Sequence, residues 1–122
     1  MIKTEGITHL HIAVSEMVRS LAFYGNVFGM EELFREGPDL IFLRTPGGND
    51  TLTLNEDPSL RTQAGKSGGI QHFGFGIADK ADLDRAVELV ERWGGRLLRR
   101  GEHEPGYPFA YVADPDGYVI EL

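Results

Sequence analysis

Two histidines near the amino terminus, His9 and His11, have side chains that could bind a metal ion or transfer a proton. They lie two residues apart in the apolar run ITHLHIAV, residues 7–14. If this run is a β-strand, both imidazoles point to the same face, because side chains alternate between the two faces of a strand. A solvent-facing strand is the simplest explanation of such a pair, but two later residues favour a chemical role.

His72 and Glu121 lie on two other apolar segments of the chain. His72 is the third residue of IQHFGFGIAD, and two glycines share its predicted face and leave room for a ligand. Glu121 stands between two apolar residues in YVIEL, where an unpaired charge would be expensive. Imidazole nitrogens and carboxylate oxygens bind divalent metals, so His9, His72 and Glu121 form a candidate metal site. For each of these residues alone, the alternative is an ordinary solvated side chain.

The elements that carry these residues occur twice along the chain. Residues 7–56 and 70–122 each predict a strand, a helix and three further strands, and a polar, turn-rich linker over 57–69 joins them. A helix placed between strands can cover one face of its own sheet, which leaves the other face free. His9 and His72 fall at equivalent positions of the two repeats, so two aligned open faces would form a cleft with a histidine on each wall.

The helix ends are also predicted from local signals. In the first helix, over residues 15–30, Ser15 is predicted to cap the amino terminus and Gly29 to end the helix. The second helix is expected to end at the glycines 94–95, and Trp93 beside them is predicted to lie in the core.

Composition limits the classes of partner. The 122 residues suffice for one domain with a hydrophobic core. Nineteen acidic residues against twelve Lys and Arg give a net charge of −7, which argues against nucleic acid or an anionic membrane as partner. The chain has no cysteine, which excludes disulfides and thiolate ligands. It shows no apolar run of about 18 residues and no signal peptide, so we expect a cytoplasmic protein.

Three segments together resemble the vicinal oxygen chelate superfamily, which includes glyoxalases, bleomycin-resistance proteins and extradiol dioxygenases. They are ITHLHIAVSEMVRSLAFYGNVFGM, GIQHFGFGI and ADPDGYVIEL, and the resemblance covers residues 7–122. It implies an α+β fold in which two βαβββ modules form a half-open barrel around a divalent metal ion. Carried over by position, the metal ligands are His9, His72 and Glu121. The resemblance also implies a small-molecule substrate and a homodimer. A ferredoxin-like regulatory domain would share the alternation of elements but gives no reason for the paired histidines.

The resemblance leaves several reactions open. Thr53, in DTLTLN, takes the place of a glutamate that is a fourth ligand in glyoxalase I-like members, and a neutral hydroxyl is a poor substitute. Two histidines and one carboxylate are the ligand set of non-haem Fe(II) oxygenases, which leaves positions for substrate and dioxygen. Tyr111 stands ten residues before Glu121, where extradiol dioxygenases have an active-site tyrosine. An extradiol-type dioxygenase with Fe²⁺ is therefore favoured, and Mn²⁺, Ni²⁺ or Zn²⁺ are the alternative metals.

Two further histidines are candidates for proton transfer. His103 lies in the predicted loop GEHEPGY, and imidazole is the commonest general acid or base near neutral pH. His11 shares the face of His9 and is predicted to line the pocket, either as a catalytic group or as a hydrogen-bonded cleft residue. The alternative functions are a glyoxalase-like isomerase or lyase, and a drug- or metabolite-binding protein without turnover.

Overall fold

The structure, a computed structural model, describes all 122 residues and arranges them in two four-stranded sheets. The first module contains β1 (His9–Ala13), α1 (Met17–Phe28), β2 (Glu31–Glu36), β3 (Leu40–Arg44) and β4 (Thr51–Asn55). The second module contains β5 (Phe73–Gly74), α2 (Leu83–Arg92), β6 (Arg96–Glu102), β7 (Pro108–Ala113) and β8 (Val119–Glu121). The predicted α+β repeat of two βαβββ modules is therefore confirmed.

Both sheets have the same topology. The strand orders are β1-β4-β3-β2 and β5-β8-β7-β6, and in each sheet the first strand pairs in parallel with the last while the other neighbours are antiparallel. β1, which carries His9 and His11, and β5, which directly follows His72, are therefore edge strands of their sheets. No helix is long and apolar enough to cross a membrane.

A single core joins the two modules. Sixteen buried residues from both helices and both sheets form one cluster. In it, Phe23 of α1 lies against the second module, where a Cβ on Gly95 would come within 2.9 Å of its ring. At the carboxyl end of α1, Phe28 stacks on Phe75 with ring centroids 4.0 Å apart. The two modules are thus held in a fixed relation by apolar contacts of α1.

A turn of the second module ties the same helix to β8. Tyr24 donates a hydrogen bond of 2.7 Å to the buried carboxylate of Asp114, whose other oxygen accepts the backbone N–H groups of residues 116, 117 and 118. Next to it, Asp116 accepts a hydrogen bond of 2.9 Å from Arg19. Burial raises the pKa of Asp114, while the hydrogen bonds from Tyr24 and from the backbone oppose this change. The turn therefore enters β8 in a defined conformation.

Two of the local predictions are wrong. Ser15 does not cap α1, because its hydroxyl and its N–H both bond the carboxylate of Asp116 across the module boundary. Trp93 is 37% exposed and lies outside the core. The predicted stop is confirmed, since Gly29 follows α1 in the left-handed conformation with φ of 66°.

Candidate functional site

β5 and β8 place His72 and Glu121 beside one another. Gly74 is the register partner of Glu121, and a Cβ on Gly74 would lie 3.2 Å from the carbonyl oxygen of Glu121. The missing side chain therefore lets the two strands approach closely. His72, directly before β5, brings its Nε2 to 3.1 Å from one carboxylate oxygen of Glu121. These two predicted metal ligands are brought together.

His103 reaches the same carboxylate from the turn between β6 and β7. Its Nε2 lies 2.7 Å from the second oxygen of Glu121, and its ring stacks on Phe109 at a centroid distance of 4.4 Å. The turn is held by the N–H of His103, which donates to the carbonyl of Tyr107. The sequence singled out His103 as a free loop residue, but nothing in it indicated this contact.

Tyr111 completes the group around the carboxylate. It is the register partner of Glu121 across β7 and β8, and its ring meets His72 edge to face at a centroid distance of 5.0 Å. The hydrogen bond from His103 holds the pKa of Glu121 below its usual range, assisted by the charges of His103 and His72 and by the nearby hydroxyl of Tyr111. Partial burial of Glu121 raises its pKa and so opposes this change. Glu121 is therefore favoured as a carboxylate, the form that binds a cation.

The cause of this shift can be tested in the metal-free protein. Replacing His103 with glutamine is expected to raise the pKa of Glu121 towards that of an ordinary glutamate, since the largest stabilising contact of the carboxylate is weakened. Tyr111→Phe should raise it less. A carbon-detected NMR titration of the labelled Glu121 carboxylate measures both changes. An unchanged pKa in His103→Gln would contradict the assigned cause.

His9 lies elsewhere on the edge of the first sheet. Its Nδ1 is 3.1 Å from the hydroxyl of Thr8, and it makes no hydrogen bond or ion pair with His72 or Glu121. His9 lines a cavity of about 660 Å³ between β1, β5 and the two helices, whereas His72 lines a neighbouring cavity of about 260 Å³ together with His11. The two histidines that were expected on facing walls of one cleft line different cavities in this structure.

Comparison with known proteins identifies the family. Residues 6–122 match the Glyoxalase/Bleomycin resistance protein/Dioxygenase superfamily. The chain belongs to this superfamily. It is 32% identical to a lactoylglutathione lyase of Neisseria meningitidis serogroup A, over 95% of this chain and 88% of that protein. It is also 30% identical to a catechol-2,3-dioxygenase of Bacillus subtilis, over 95% of this chain and 40% of that protein.

The solved structures agree on the fold of this superfamily member. A variant of the fosfomycin resistance protein FosX from Listeria monocytogenes superimposes with a TM-score of 0.79 at 20% identity, over 98% of this chain and 90% of that one. That structure contains Mn(II) and 1S,2S-dihydroxypropylphosphonic acid. A glyoxalase-related enzyme from Fulvimarina pelagi gives a TM-score of 0.73 at 23% identity, over 97% and 86% of the two chains.

The register of the first sheet places Thr53 on the face of the two amino-terminal histidines. Thr53 pairs with His11, and Thr51 pairs with His9, in the parallel ladder of β1 and β4. Thr53 is 1% exposed, so a neutral and buried hydroxyl occupies this position of the superfamily fold. A fourth, carboxylate ligand is therefore absent from the strand position at which glyoxalase I-like members were expected to have one.

Two of the predicted ligands, His72 and Glu121, have donor atoms that suit a divalent metal ion. Imidazole nitrogen and carboxylate oxygen both bind Fe²⁺, Mn²⁺, Ni²⁺ or Zn²⁺, and His103 brings a second imidazole to the same carboxylate. Both nitrogens are engaged with the carboxylate itself, and no group of three or more His, Asp and Glu side chains has the arrangement of a complete metal site. Two predicted ligands, His72 and Glu121, are thus adjacent, while the third, His9, lies outside this group.

Proposed function

We propose that this protein is a divalent-metal-dependent enzyme that binds a small substrate through adjacent oxygen atoms, and that its reaction is of the extradiol dioxygenase type. The observation that carries the proposal is the group of His72, His103 and Tyr111 around the carboxylate of Glu121. Such a group offers metal ligands, a proton acceptor and a hydrogen-bond donor on one exposed sheet face.

His9, His72 and Glu121 are the proposed metal ligands. His72 and Glu121 already lie 3.1 Å apart, and His9 occupies the equivalent position of the first module on the neighbouring edge strand. Fe²⁺ is the favoured metal. When bound at such a site, it would act as a Lewis acid towards the substrate oxygens and would pass electrons from the chelated substrate to dioxygen.

The remaining side chains bind the substrate and move its protons. His103 can accept the proton of a substrate hydroxyl once it releases Glu121, because its imidazole nitrogen already faces this position. The hydroxyl of Tyr111 can donate a hydrogen bond to a substrate oxygen next to the carboxylate. His11, which lines a cavity with His72, is proposed as a pocket residue.

The lyase reaction is the second candidate function. It is favoured by the lactoylglutathione lyase of Neisseria meningitidis, which matches over most of both chains, whereas only 40% of the Bacillus subtilis dioxygenase is matched. The buried hydroxyl of Thr53 argues against it, since it leaves a site with three protein ligands rather than four.

Oxygen consumption distinguishes these functions. The protein, purified without oxygen and loaded with Fe²⁺, is supplied in turn with catechol, 3,4-dihydroxybenzoate and the adduct of methylglyoxal with glutathione. We expect oxygen uptake and a ring-cleaved product with a catechol, and a large loss of both in His103→Ala. Lactoylglutathione formation without oxygen uptake would assign the lyase reaction instead. Stoichiometric binding without turnover would assign a sequestering protein.

A homodimer is also proposed. Two strongly exposed apolar residues, Ile7 and Ile70, lie beside the cavities at the edges of β1 and β5, where a second copy would cover them. Light scattering on the purified protein is expected to give twice the chain mass of 13.5 kDa. A mass of one chain at micromolar concentration would contradict the dimer.

A further inference from the structure

A row of four register partners crosses the second sheet at the level of Glu121. Gly74 on β5 pairs with Glu121 on β8, Glu121 pairs with Tyr111 on β7, and Tyr111 pairs with Arg99 on β6. The row therefore runs from a glycine, past the carboxylate and an aromatic ring, to a guanidinium group. Strands are about 4.8 Å apart, so the backbones of Glu121 and Arg99 are separated by about 10 Å.

The guanidinium group of Arg99 lies over the aromatic surface of this row. Its carbon Cζ is 5.3 Å from the ring centroid of Phe109 and 5.6 Å from that of Tyr111. The Phe109 ring lies directly against Gly101 of β6, where a Cβ would come within 2.8 Å of it. A glycine at this point of the strand thus makes room for the ring that supports Arg99.

Arg99 has no acidic partner, although acidic residues exceed basic ones in the chain. The ion pairs of the structure involve Arg19, Arg35 and Arg100 but not Arg99. Its neighbour Arg100 is neutralised by Asp84 of α2. A guanidinium group stacked on rings keeps its N–H donors free at its edge, in the geometry that binds a carboxylate through two hydrogen bonds.

We infer that Arg99 is the anion-binding residue of this site and that the substrate is a planar aromatic compound with adjacent oxygen donors at one end and a carboxylate at the other. The inference rests on the proposed function, which places the oxygen donors beside Glu121. The ring of Tyr111 then lies alongside the substrate ring, and the carboxylate meets the guanidinium group at the far end of the row from Glu121.

The test compares two ligands of nearly the same shape, one with a carboxylate and one with a neutral amide. Binding of 3,4-dihydroxybenzoate and of neutral 3,4-dihydroxybenzamide is measured by calorimetry without oxygen, on native protein, Arg99→Gln and the control Arg92→Gln. Arg92 is an exposed arginine of α2 that makes no ion pair and lies outside the site. We expect native protein and Arg92→Gln to bind the acid at least about tenfold more tightly than the amide, and Arg99→Gln to lose this preference.

Equal affinity of native protein for the two ligands, or a preference retained in Arg99→Gln, would overturn the inference. Failure of native protein to bind either compound would overturn it as well. Oxygen uptake is recorded on the same samples after air is admitted. A charge preference that depends on Arg99 but is accompanied by no oxygen uptake would overturn the dioxygenase proposal and leave Arg99 as the anion-binding residue.

Discussion

Replacing His72 with alanine is expected to weaken divalent-metal binding by at least about 100-fold and to abolish turnover. Even residues that only support metal ligands cost up to about 100-fold when they are removed, so the loss of a ligand should cost at least as much. The fold should survive, since His72 is only partly buried and precedes a short edge strand. Metal affinity is measured by competition with a chelator, and turnover by oxygen uptake.

Gln71→Ala is the matched control for this variant. Gln71 is the exposed residue next to His72, and its removal should leave the metal affinity unchanged, because it is not a proposed ligand. Native metal affinity in His72→Ala would contradict the assignment of His72 as a ligand. Equal losses in the two variants would instead indicate that the segment before β5 is disturbed as a whole.

Replacing Asp114 with alanine is expected to lower the free energy of unfolding by about 2–4 kcal/mol. The substitution removes the acceptor of one hydrogen bond from Tyr24 and of three from the backbone of the turn. Buried donors without a partner cost about 1–3 kcal/mol each, and those of the turn can partly recover water. Denaturant unfolding followed by circular dichroism measures the change.

Two further variants make this test specific. Tyr24→Phe removes only one of the four hydrogen bonds and should cost about 1 kcal/mol. Asp84→Ala removes an exposed carboxylate that pairs with Arg100, and such pairs contribute about 0–1 kcal/mol. A loss in Asp114→Ala no larger than that in Asp84→Ala would contradict the role of the buried carboxylate in joining α1 to the turn before β8.

Those parts of the fold that depend on local patterns could be predicted from the sequence. The alternation in ITHLHIAV gives β1, and Gly29 ends α1, because each signal acts within a few residues. The equivalence of His9 and His72 also follows from the repeated order of elements. Glu121 was found because a charged residue between apolar neighbours on a strand needs a partner.

The contacts between distant elements could not be predicted in this way. His103 meets Glu121 because the hairpin of β6 and β7 brings its turn over β8, and the register of that hairpin is not encoded in any short segment. The bond between Ser15 and Asp116 also depends on how the two modules pack. Ser15, whose hydroxyl could cap a helix, therefore binds Asp116 across the module boundary instead.

The distance of His9 from His72 and Glu121 also could not be predicted from short segments of the sequence. A repeat predicts equivalent places in two modules, but the distance between these places depends on the shared core around Phe23 and Phe28. Arg99 was assigned no role from the sequence, because RLLRR is typical of a solvated surface. Only the register of β6, β7 and β8 places its guanidinium group in the row of Glu121.

The most direct test of the central claim is to measure the metal content of native protein, His9→Ala and His11→Ala. Each protein is purified without oxygen, loaded with Fe²⁺ and freed of excess metal. The claim is that His9, His72 and Glu121 hold one ion per chain, while His11 is a pocket residue. Native protein and His11→Ala should therefore retain about one ion per chain by plasma mass spectrometry, and His9→Ala should retain almost none. A full complement of metal in His9→Ala, or none in native protein, would contradict the account.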